Sequence, residues 1–223
     1  MTLILDDFAV LREGKPLANV SATVAPGEAL SVMGPSGVGK SSLLNGLAGL
    51  LPPRFSVAGS ARLDGVDLLS RPPEQRRLGV MFQDALLYPH LTVLQNVAFA
   101  IPRRGAEGVR GRAARRAAAA EGLARVGLEA LGGRDPDTLS GGQRSRVALA
   151  RTLAGRPRAL LLDEPFSALD QRLRGKVRDV VFGLARQDGL PIVLVSHDPE
   201  DAKAAGGRVI EIRTLPDGAG AVT

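Results

Sequence analysis

The sequence has no cysteine, so neither a disulfide bond nor a thiolate metal site can form in this chain. Its two histidines are too few for a zinc site that uses histidine alone. A chain without disulfides is compatible with an intracellular setting, where disulfide bonds are rare. Disulfide scaffolds and zinc sites of these kinds are therefore excluded.

Long apolar runs are also missing. No run approaches the ~18 residues that a membrane span needs. The first ten residues contain Asp6 and Asp7, where a signal peptide would be basic. The sequence therefore predicts a soluble protein that stays inside the cell.

Acidic residues are outnumbered, since 29 Lys and Arg residues face 23 Asp and Glu residues and the net charge is +6. This balance suits an anionic partner such as a nucleotide, a nucleic acid or a lipid headgroup. Arginine supplies nearly all of the positive charge, and arginines on solvated helix faces are a simpler interpretation than a nucleic-acid surface. Charge alone leaves these alternatives open.

One motif stands out among the residues that are present. It has the form GxxxxGK[ST], in which glycines allow a tight turn and successive backbone N–H groups point at the phosphates of a nucleotide. Lys40 is expected to reach the β- and γ-phosphates, and the Ser41 hydroxyl is expected to bind Mg²⁺. The predicted phosphate-binding residues are Gly34, Pro35, Ser36, Gly37, Val38, Gly39, Lys40, Ser41 and Ser42.

The segments around this motif predict an α/β fold. Apolar runs typical of buried parallel strands occur at 29–33, 78–82, 159–163 and 191–196. Residues 3–33 as a whole predict three strands, residues 51–60 the start of a hairpin, 112–126 an amphipathic helix and 169–187 a second helix.

A length of 223 residues with 44 % hydrophobic content suits one large domain or a core with an insertion. We expect a P-loop NTPase core with a mainly parallel sheet, an antiparallel β subdomain and a helical insertion. The predicted single domain spans 1–223, with the core at about 1–83 and 156–223 and the insertion at about 84–155.

Two carboxylates end the predicted strand at 159–163. The carboxyl end of a parallel strand is the sheet edge at which a phosphate loop opens. Asp163 is therefore a candidate Mg²⁺ ligand through water, and Glu164 is a candidate base that orients and deprotonates an attacking water. Together they predict hydrolysis of the terminal phosphate.

The segment Leu139-Ser140-Gly141-Gly142-Gln143 predicts a second anion site. Ser140 resembles a helix N-cap, and the following glycines leave backbone N–H groups open at the positive end of a helix. One nucleotide needs only one phosphate loop, so a second site about a hundred residues beyond Lys40 needs an explanation. A symmetric dimer provides one, because each protomer can close its second site over the nucleotide of its partner.

With these motifs in place, the chain resembles the ATP-binding subunit of ABC transporters over nearly its full length. The elements occur in the family's order: the phosphate loop, Gln83, LSGGQ at 139–143, Asp163-Glu164, Ser167-Ala168-Leu169-Asp170 and Ser196-His197-Asp198.

The resemblance implies a role for several of these residues. Glu164, His197 and Gln83 are the implied catalytic residues, with His197 at the γ-phosphate and Gln83 sensing Mg²⁺ and the attacking water. Ser41, Gln83 and Asp163 are the implied metal ligands. Nucleotide contacts across a dimer are implied for Ser140, Gly141, Gly142, Gln143 and Asp170.

Residues 82–97 are similar to the corresponding stretch of bacterial importer subunits that serve small solutes, such as the thiamine, sulfate and polyamine systems. The resemblance implies ATP and Mg²⁺ as cofactors, a homodimer or paired ATPase subunit, an integral-membrane permease and an extracytoplasmic solute-binding protein. It implies a peripheral location at the cytoplasmic face of the inner membrane, with His90 structural or facing a partner. An exporter subunit, or an ABC ATPase that acts on nucleic acid, is the alternative, although no nucleic acid is expected.

The sequence departs from the family pattern at two places. Family members usually have an aromatic residue about 23 positions before the first glycine of the phosphate loop, where it stacks on adenine, and this chain has Leu11. Phe8 could substitute only if the register shifts. The 26 residues after His197 are also too few for the regulatory β-domain of many importers, so we expect no regulation of that kind.

Other nucleotide enzymes share the phosphate loop but not the remaining motifs. A GTPase normally carries an Asn-Lys-x-Asp motif, which this sequence lacks, and neither a GTPase nor a small-molecule kinase needs LSGGQ. An ATPase of the ABC type is therefore the preferred prediction.

Overall fold

The computed structural model describes residues 1–103, 108–214 and 220–222. They form two compact units. Unit 1 comprises Met1–Val80, Arg158–Glu164 and Leu184–Thr223, and unit 2 comprises Met81–Pro157 and Pro165–Gly183.

The strands are β1 Leu3–Arg12, β2 Lys15–Val24, β3 Ala29–Met33, β4 Phe55–Leu63, β5 Val66–Asp67, β6 Leu78–Met81, β7 Ala159–Asp163, β8 Ile192–Val195, β9 Arg208–Thr214 and β10 Gly220–Val222. The α-helices are α1 Lys40–Ala48, α2 Val93–Ala100, α3 Arg112–Arg125, α4 Gly141–Ala154, α5 Gln171–Gln187 and α6 Pro199–Ala205.

A four-stranded sheet in unit 1 has the order β2-β1-β4-β5. Its neighbouring strands are antiparallel, and β1 pairs with β2 on one side and β4 on the other. Side chains alternate between buried and exposed along β2, as expected for a sheet with one solvated face. This sheet is the predicted antiparallel β subdomain.

The second sheet has six strands in the order β10-β9-β3-β8-β7-β6. The strand β3 pairs in parallel with both β8 and β9, and β7 pairs in parallel with β8. Residues 159–162 and 192–195 are buried throughout, which explains why these strands have continuous apolar runs. The carboxyl ends of β3, β7 and β8 therefore lie side by side at one edge.

The core of unit 1 joins residues of both sheets to the helix α1. Phe8 and Val10 of β1, Leu43 and Leu47 of α1, and Leu161 of β7 all belong to one buried cluster. The apolar residues of α1 therefore fix the start of this helix relative to the end of β3.

Unit 2 contains α2, α3, α4 and most of α5. Thr92 and Ser140 each form a capping box with a glutamine three residues later, at the starts of α2 and α4. Val97, Leu123 and Leu149 are fully buried, and Phe166 packs edge-on against Phe182 at 5.7 Å between ring centroids. The described residues of unit 2 are therefore mainly helical, and the helix predicted at 112–126 is present as α3.

The predicted strands at 3–33, 78–82, 159–163 and 191–196 and the predicted helices at 112–126 and 169–187 are confirmed within a few residues. The strand β9, the strand β10 and the short helix α6 were not predicted. Unit 2 also takes in 165–183, which the predicted insertion did not include. The single ABC ATPase domain with its boundaries stays a prediction.

In the part of the chain that the structure describes, every helix is too short or too polar to cross a membrane.

Candidate functional site

The backbone of residues 34–39 joins the end of β3 to the start of α1 in unit 1. Three of its glycines have positive φ, with Gly34 at 147°, Gly37 at 84° and Gly39 at 101°. At Gly34 a Cβ atom would lie 2.5 Å from the carbonyl oxygen of Ile212. The loop therefore requires glycine for backbone conformation and, at Gly34, also for space.

The side chain of Lys40 folds back over this loop. Its Nζ donates hydrogen bonds of 2.8 Å to the carbonyl oxygens of Gly34 and Pro35, and the residue is 5 % exposed. Burial lowers the pKa of Lys40, whereas the nearby Glu164 and Asp163 act in the opposite direction. A cation held by neutral carbonyls at a helix N-terminus favours an incoming phosphate.

The Ser41 hydroxyl donates a hydrogen bond of 2.9 Å to Oδ1 of Asp163. Burial raises the pKa of Asp163, and the Ser41 hydrogen bond opposes that change. No cluster of three or more His, Asp or Glu side chains suited to a metal exists among the residues described. Mg²⁺ typically needs only one or two such ligands beside substrate phosphates, so the Ser41 and Asp163 oxygens fit it.

Glu164 and His197 meet at the same sheet edge. His197 Nδ1 and Glu164 Oε2 are 2.6 Å apart, and the two side chains are 58 % and 19 % exposed. Glu164 has φ of 48°, an uncommon value for a residue with a side chain, while its N–H donates to the carbonyl of Val195. Strained backbone of this kind is often found at functional sites.

The bonds from Ser41 to Asp163 and from Glu164 to His197, together with the effect of Asp163 and Glu164 on the pKa of Lys40, bring these five residues into one group within unit 1. All of them were candidates from sequence, but only the folded chain joins Ser41 to Asp163 across 122 positions and Glu164 to His197 across 33. The group can bind an anion, hold a cation and accept a proton.

The predicted second anion site lies in unit 2, at the start of α4. The predicted N-cap is confirmed, because the Ser140 hydroxyl accepts a 3.3 Å hydrogen bond from the N–H of Gln143. Gln143 Oε1 in turn accepts a 2.9 Å bond from the N–H of Ser140. Both side chains support the helix end, so the groups left for a ligand include the N–H groups of Gly141 and Gly142.

The glycines at this helix end pack against the start of α5. A Cβ atom at Gly141 would lie 3.5 Å from Leu169 Cδ2, and one at Gly142 would lie 2.2 Å from Leu173 Cδ2. Asp170 caps α5, since its Oδ1 accepts a 2.9 Å bond from the N–H of Leu173. Gly141, Gly142 and Asp170 thus belong to one packed region.

Gln83 also lies in unit 2, two residues after the end of β6, and it is exposed. The roles given above to Gln83, Asp170 and the other site residues stay predictions.

The structure of unit 1 limits which residues could contact adenine in place of an aromatic residue at position 11. Phe8 is 0 % exposed inside the core, so it cannot stack on a base. The suggestion that Phe8 takes the place of the missing aromatic residue is therefore wrong. Leu11 is partly buried. The sequence analysis gave no role to Leu17. In the structure Leu17 lies close to the phosphate loop, because a Cβ atom added at Gly39 would be 2.8 Å from Leu17 Cγ. Leu17 is the extra residue at a register shift between Val10 and Leu11, and the sequence has no signal for this bulge.

Comparison with known proteins agrees with this geometry. Residues 17–167 match the model of a family described as ABC transporter. The chain is 45 % identical to the uncharacterized ABC transporter ATP-binding protein YnjD of Escherichia coli (strain K12), over 87 % of each chain. It is 42 % identical to the thiamine import ATP-binding protein ThiQ of Ruegeria sp. (strain TM1040), over 94 % of this chain and 87 % of that one.

A third relative is the spermidine/putrescine import ATP-binding protein PotA of Methylococcus capsulatus, at 45 % identity over 89 % of this chain. This chain spans about half the length of that protein, with 50 % of PotA covered. Among solved structures, that of MJ0796 is similar, with a TM-score of 0.78 and 32 % identity over 100 % of this chain and 98 % of that one. It is described as the dimeric structure of a post-hydrolysis state of this ATP-binding cassette, bound to ADP and Pi. The chain therefore belongs to the ABC transporter family and is an ATP-binding ATPase of that family.

Proposed function

We propose that this chain is the ATP-hydrolysing motor subunit of an ABC importer and works as a head-to-tail dimer beneath a separate permease. The observation that carries the proposal is the pair of contacts at one sheet edge, Ser41 to Asp163 at 2.9 Å and Glu164 to His197 at 2.6 Å, beside the phosphate loop. This arrangement provides a cation ligand set and a base next to a phosphate cradle.

ATP binding begins at residues 34–42, where backbone N–H groups at the start of α1 receive the α- and β-phosphates. Lys40 exchanges its two carbonyl partners for β- and γ-phosphate oxygens. The exchange is favourable because a hydrogen bond between charged groups is stronger than one to a neutral carbonyl.

Mg²⁺ is the proposed cation, and when bound it neutralises charge on the β- and γ-phosphate oxygens. Ser41 and Asp163 would hold it, with Gln83 as the proposed third protein ligand. The raised pKa of Asp163 indicates a carboxylate that is poorly compensated by the protein alone, as expected for a cation ligand.

Glu164 is the proposed general base. Its carboxylate accepts a proton from the attacking water, while the bond to His197 restricts its orientation. An ionised carboxylate can only accept a hydrogen bond, so the proton of this bond belongs to His197 Nδ1. His197 is more exposed than Glu164 and can also contact the γ-phosphate.

The dimer is proposed from the second anion site. In each protomer Ser140 and Gln143 cap α4, and the Gly141 and Gly142 N–H groups are offered to the γ-phosphate held by the other protomer. Asp170 lies in the same packed region and is proposed at the dimer contact. The similar solved structure of MJ0796 is described as dimeric, which supports this assembly.

The permease is proposed to bind unit 2. Leu86, Tyr88 and Phe99 are 58 %, 38 % and 61 % exposed, and the Tyr88 and Phe99 rings are 4.9 Å apart. Arg151 donates to the Leu86 carbonyl, and the buried Asn96 donates to the Tyr88 carbonyl, so the segment is held in shape. Exposed apolar patches of this kind mark interaction sites.

A groove of about 830 Å³ adjoins this patch, and Phe99 lines it together with Leu91 and Val109. Arg103, Arg112 and Arg116 also line it, and none of the described lining residues is acidic. Charge complementarity favours a permease segment that combines apolar side chains with carboxylates.

Import is proposed because relatives are named for the import of spermidine or putrescine, thiamine and sulfate or thiosulfate. With import comes an extracytoplasmic solute-binding protein, and the motor then lies at the cytoplasmic face of the inner membrane as a peripheral subunit.

The experiment that tests the motor is the substitution Glu164→Gln. The amide keeps the shape of the side chain but cannot act as a base, so kcat for ATP should fall by about 10² to 10⁴. ATP binding should persist, and an ATP-bound dimer should accumulate in size-exclusion chromatography. Solute uptake by vesicles that contain the permease should fall in parallel.

The matched control is Glu200→Gln, which changes an exposed glutamate in α6 of the same unit and should retain parental turnover. Unchanged turnover in Glu164→Gln would refute the base role. Full ATPase activity of a chain that remains monomeric with its permease and ATP present would refute the dimer.

A further inference from the structure

The short connection that contains His197 is hydrogen-bonded to the neighbouring strand β3 at its first residue, Ser196. The strand β8 ends at Val195 and the helix α6 begins at Pro199, so residues 196–198 form the whole connection. The N–H of Ser196 donates to the carbonyl of Val32 in β3. His197 itself is 58 % exposed, so packing around its ring does little to fix it.

Asp201 makes a contact with each neighbour of His197. The Ser196 hydroxyl donates a 2.5 Å hydrogen bond to Asp201 Oδ2, and the Asp201 N–H donates a 3.0 Å bond to the carbonyl of Asp198. The Asp198 N–H then donates a 3.1 Å hydrogen bond to the hydroxyl oxygen of Ser196. The residues on both sides of His197 are therefore joined through Asp201.

Because Ser196 and Asp201 are buried, the directions of the hydrogen bonds between them follow from the groups present. Ser196 and Asp201 are 1 % and 3 % exposed. An ionised carboxylate can only accept, so the Ser196 proton points at Asp201 and the Ser196 lone pair is left for the Asp198 N–H. Removing the carboxylate would leave a buried hydroxyl without this acceptor, which costs free energy.

Helix capping does not require Asp201. The side chain that caps α6 is that of Asp198, whose Oδ1 accepts a 2.9 Å bond from the N–H of Glu200. Glu200 is also an acid in the first turn of α6, but it is exposed. An acid that only balanced the helix dipole could lie at the surface, as Glu200 does.

We propose that Asp201 is a positioning residue that acts through Ser196 to hold His197 in bonding distance of Glu164. This inference rests on the proposed role of His197 in hydrolysis and goes beyond it, because it assigns the orientation of His197 to a buried carboxylate that does not touch ATP. The 2.6 Å bond between His197 Nδ1 and Glu164 Oε2 is the contact that Asp201 protects.

The test is a double-mutant cycle on ATP turnover with the full chain. Asp201→Ala should lower kcat by roughly tenfold to a hundredfold, the loss expected when a reacting group is misplaced by about 1 Å. The KM for ATP should change little, because the phosphate loop is untouched. In a His197→Ala background, Asp201→Ala should cause almost no further loss of kcat.

Two more variants separate positioning from folding. Asp201→Asn keeps an acceptor oxygen for the Ser196 hydroxyl and should restore most of the turnover, whereas Ser196→Ala should reproduce the loss in Asp201→Ala. Glu200→Ala is the matched control on the same helix and should keep full turnover. Thermal melting identifies any variant that does not fold, and if Asp201→Ala is one of these, Ser196→Ala replaces it in the cycle with His197→Ala.

Losses that multiply in the double variant, or unchanged kcat in Asp201→Ala and Ser196→Ala, would overturn the positioning role while leaving the proposed function intact. Full turnover in His197→Ala would instead refute the proposed role of His197, and the positioning inference would fall with it.

Discussion

The phosphate loop at 34–42 in unit 1 and the LSGGQ segment at 139–143 in unit 2 use the same physical element, the N-terminus of a helix, in different ways. In unit 1, α1 is preceded by glycines with positive φ, and Asp163, Glu164 and His197 at the ends of β7 and β8 lie near its start. In unit 2, α4 begins with a capping box, and its side chains are occupied by their own backbone.

This difference predicts which kind of substitution each region tolerates. Unit 1 depends on the charges and protons of individual side chains such as Lys40 and Glu164. Unit 2 depends on shape, because Gly142 has no room for a Cβ beside Leu173. Side-chain chemistry should therefore dominate the effects of substitutions in unit 1, and packing should dominate those in unit 2.

The largest effect that follows from this comparison is expected for Lys40→Ala. The variant loses the cation held over the phosphate loop, so kcat should fall by about 10² to 10³, as for the loss of one transition-state donor. Binding of ATP, measured by titration, should weaken as well, since a hydrogen bond to a charged group is worth roughly 1.5–3 kcal/mol.

Lys203→Ala is the control, because Lys203 is an exposed lysine of the same unit. Equal ATP affinity in Lys40→Ala and the parent would contradict the assignment of the phosphate loop.

An intermediate effect is expected for Gly142→Ala. The new methyl group would lie 2.2 Å from Leu173 Cδ2 and 2.7 Å from its Cγ, so Leu173 and the start of α5 must move. Overpacking of this kind costs about 1–3 kcal/mol of folding free energy. Nucleotide-dependent dimerisation should weaken, as measured by analytical ultracentrifugation, while monomers still bind ATP.

The matched control is Gly133→Ala, because a Cβ there meets no atom within 4 Å and φ is not positive. Adding Leu173→Ala to Gly142→Ala should restore part of the lost stability by making room for the methyl group. If Gly142→Ala dimerised and melted like the parent, the contrast between the two regions would not hold.

The smallest expected effect concerns stability rather than activity. Because burial raises the pKa of Asp163, its ionised form at neutral pH opposes folding. Asp163→Asn removes that charge and keeps an oxygen for the Ser41 hydroxyl, so the melting temperature without nucleotide should rise. A gain of 1 kcal/mol corresponds to about 2–4 °C in a chain of this size.

The gain should shrink as the pH falls toward 4, where the Asp163 carboxyl becomes protonated and carries no such penalty. Asp6→Asn, at an exposed position, is the control. A lower melting temperature for Asp163→Asn at pH 7 would show that the carboxylate is well compensated before ATP binds.

Sequence reasoning succeeded where the information is local. The phosphate loop, the Ser140 N-cap and the strand that ends at Asp163 all depend on short patterns, and the structure has each in the predicted place. It missed β9, although Val209-Ile210-Glu211-Ile212 has a strand-like pattern, because the run is short and follows two glycines. It also kept Phe8 as a possible base contact, which burial excludes.

The residue types and their spacing by themselves determined the family, the fold class and the names of the candidate site residues. Only the tertiary structure decided that Ser41 bonds to Asp163, that Glu164 meets His197, that Leu17 contacts the phosphate loop and that Asp201 is buried beneath Ser196. The physical reason is that helix, strand and cap preferences are set by neighbours in the chain, whereas these contacts depend on strand order and burial, which join residues far apart in the sequence.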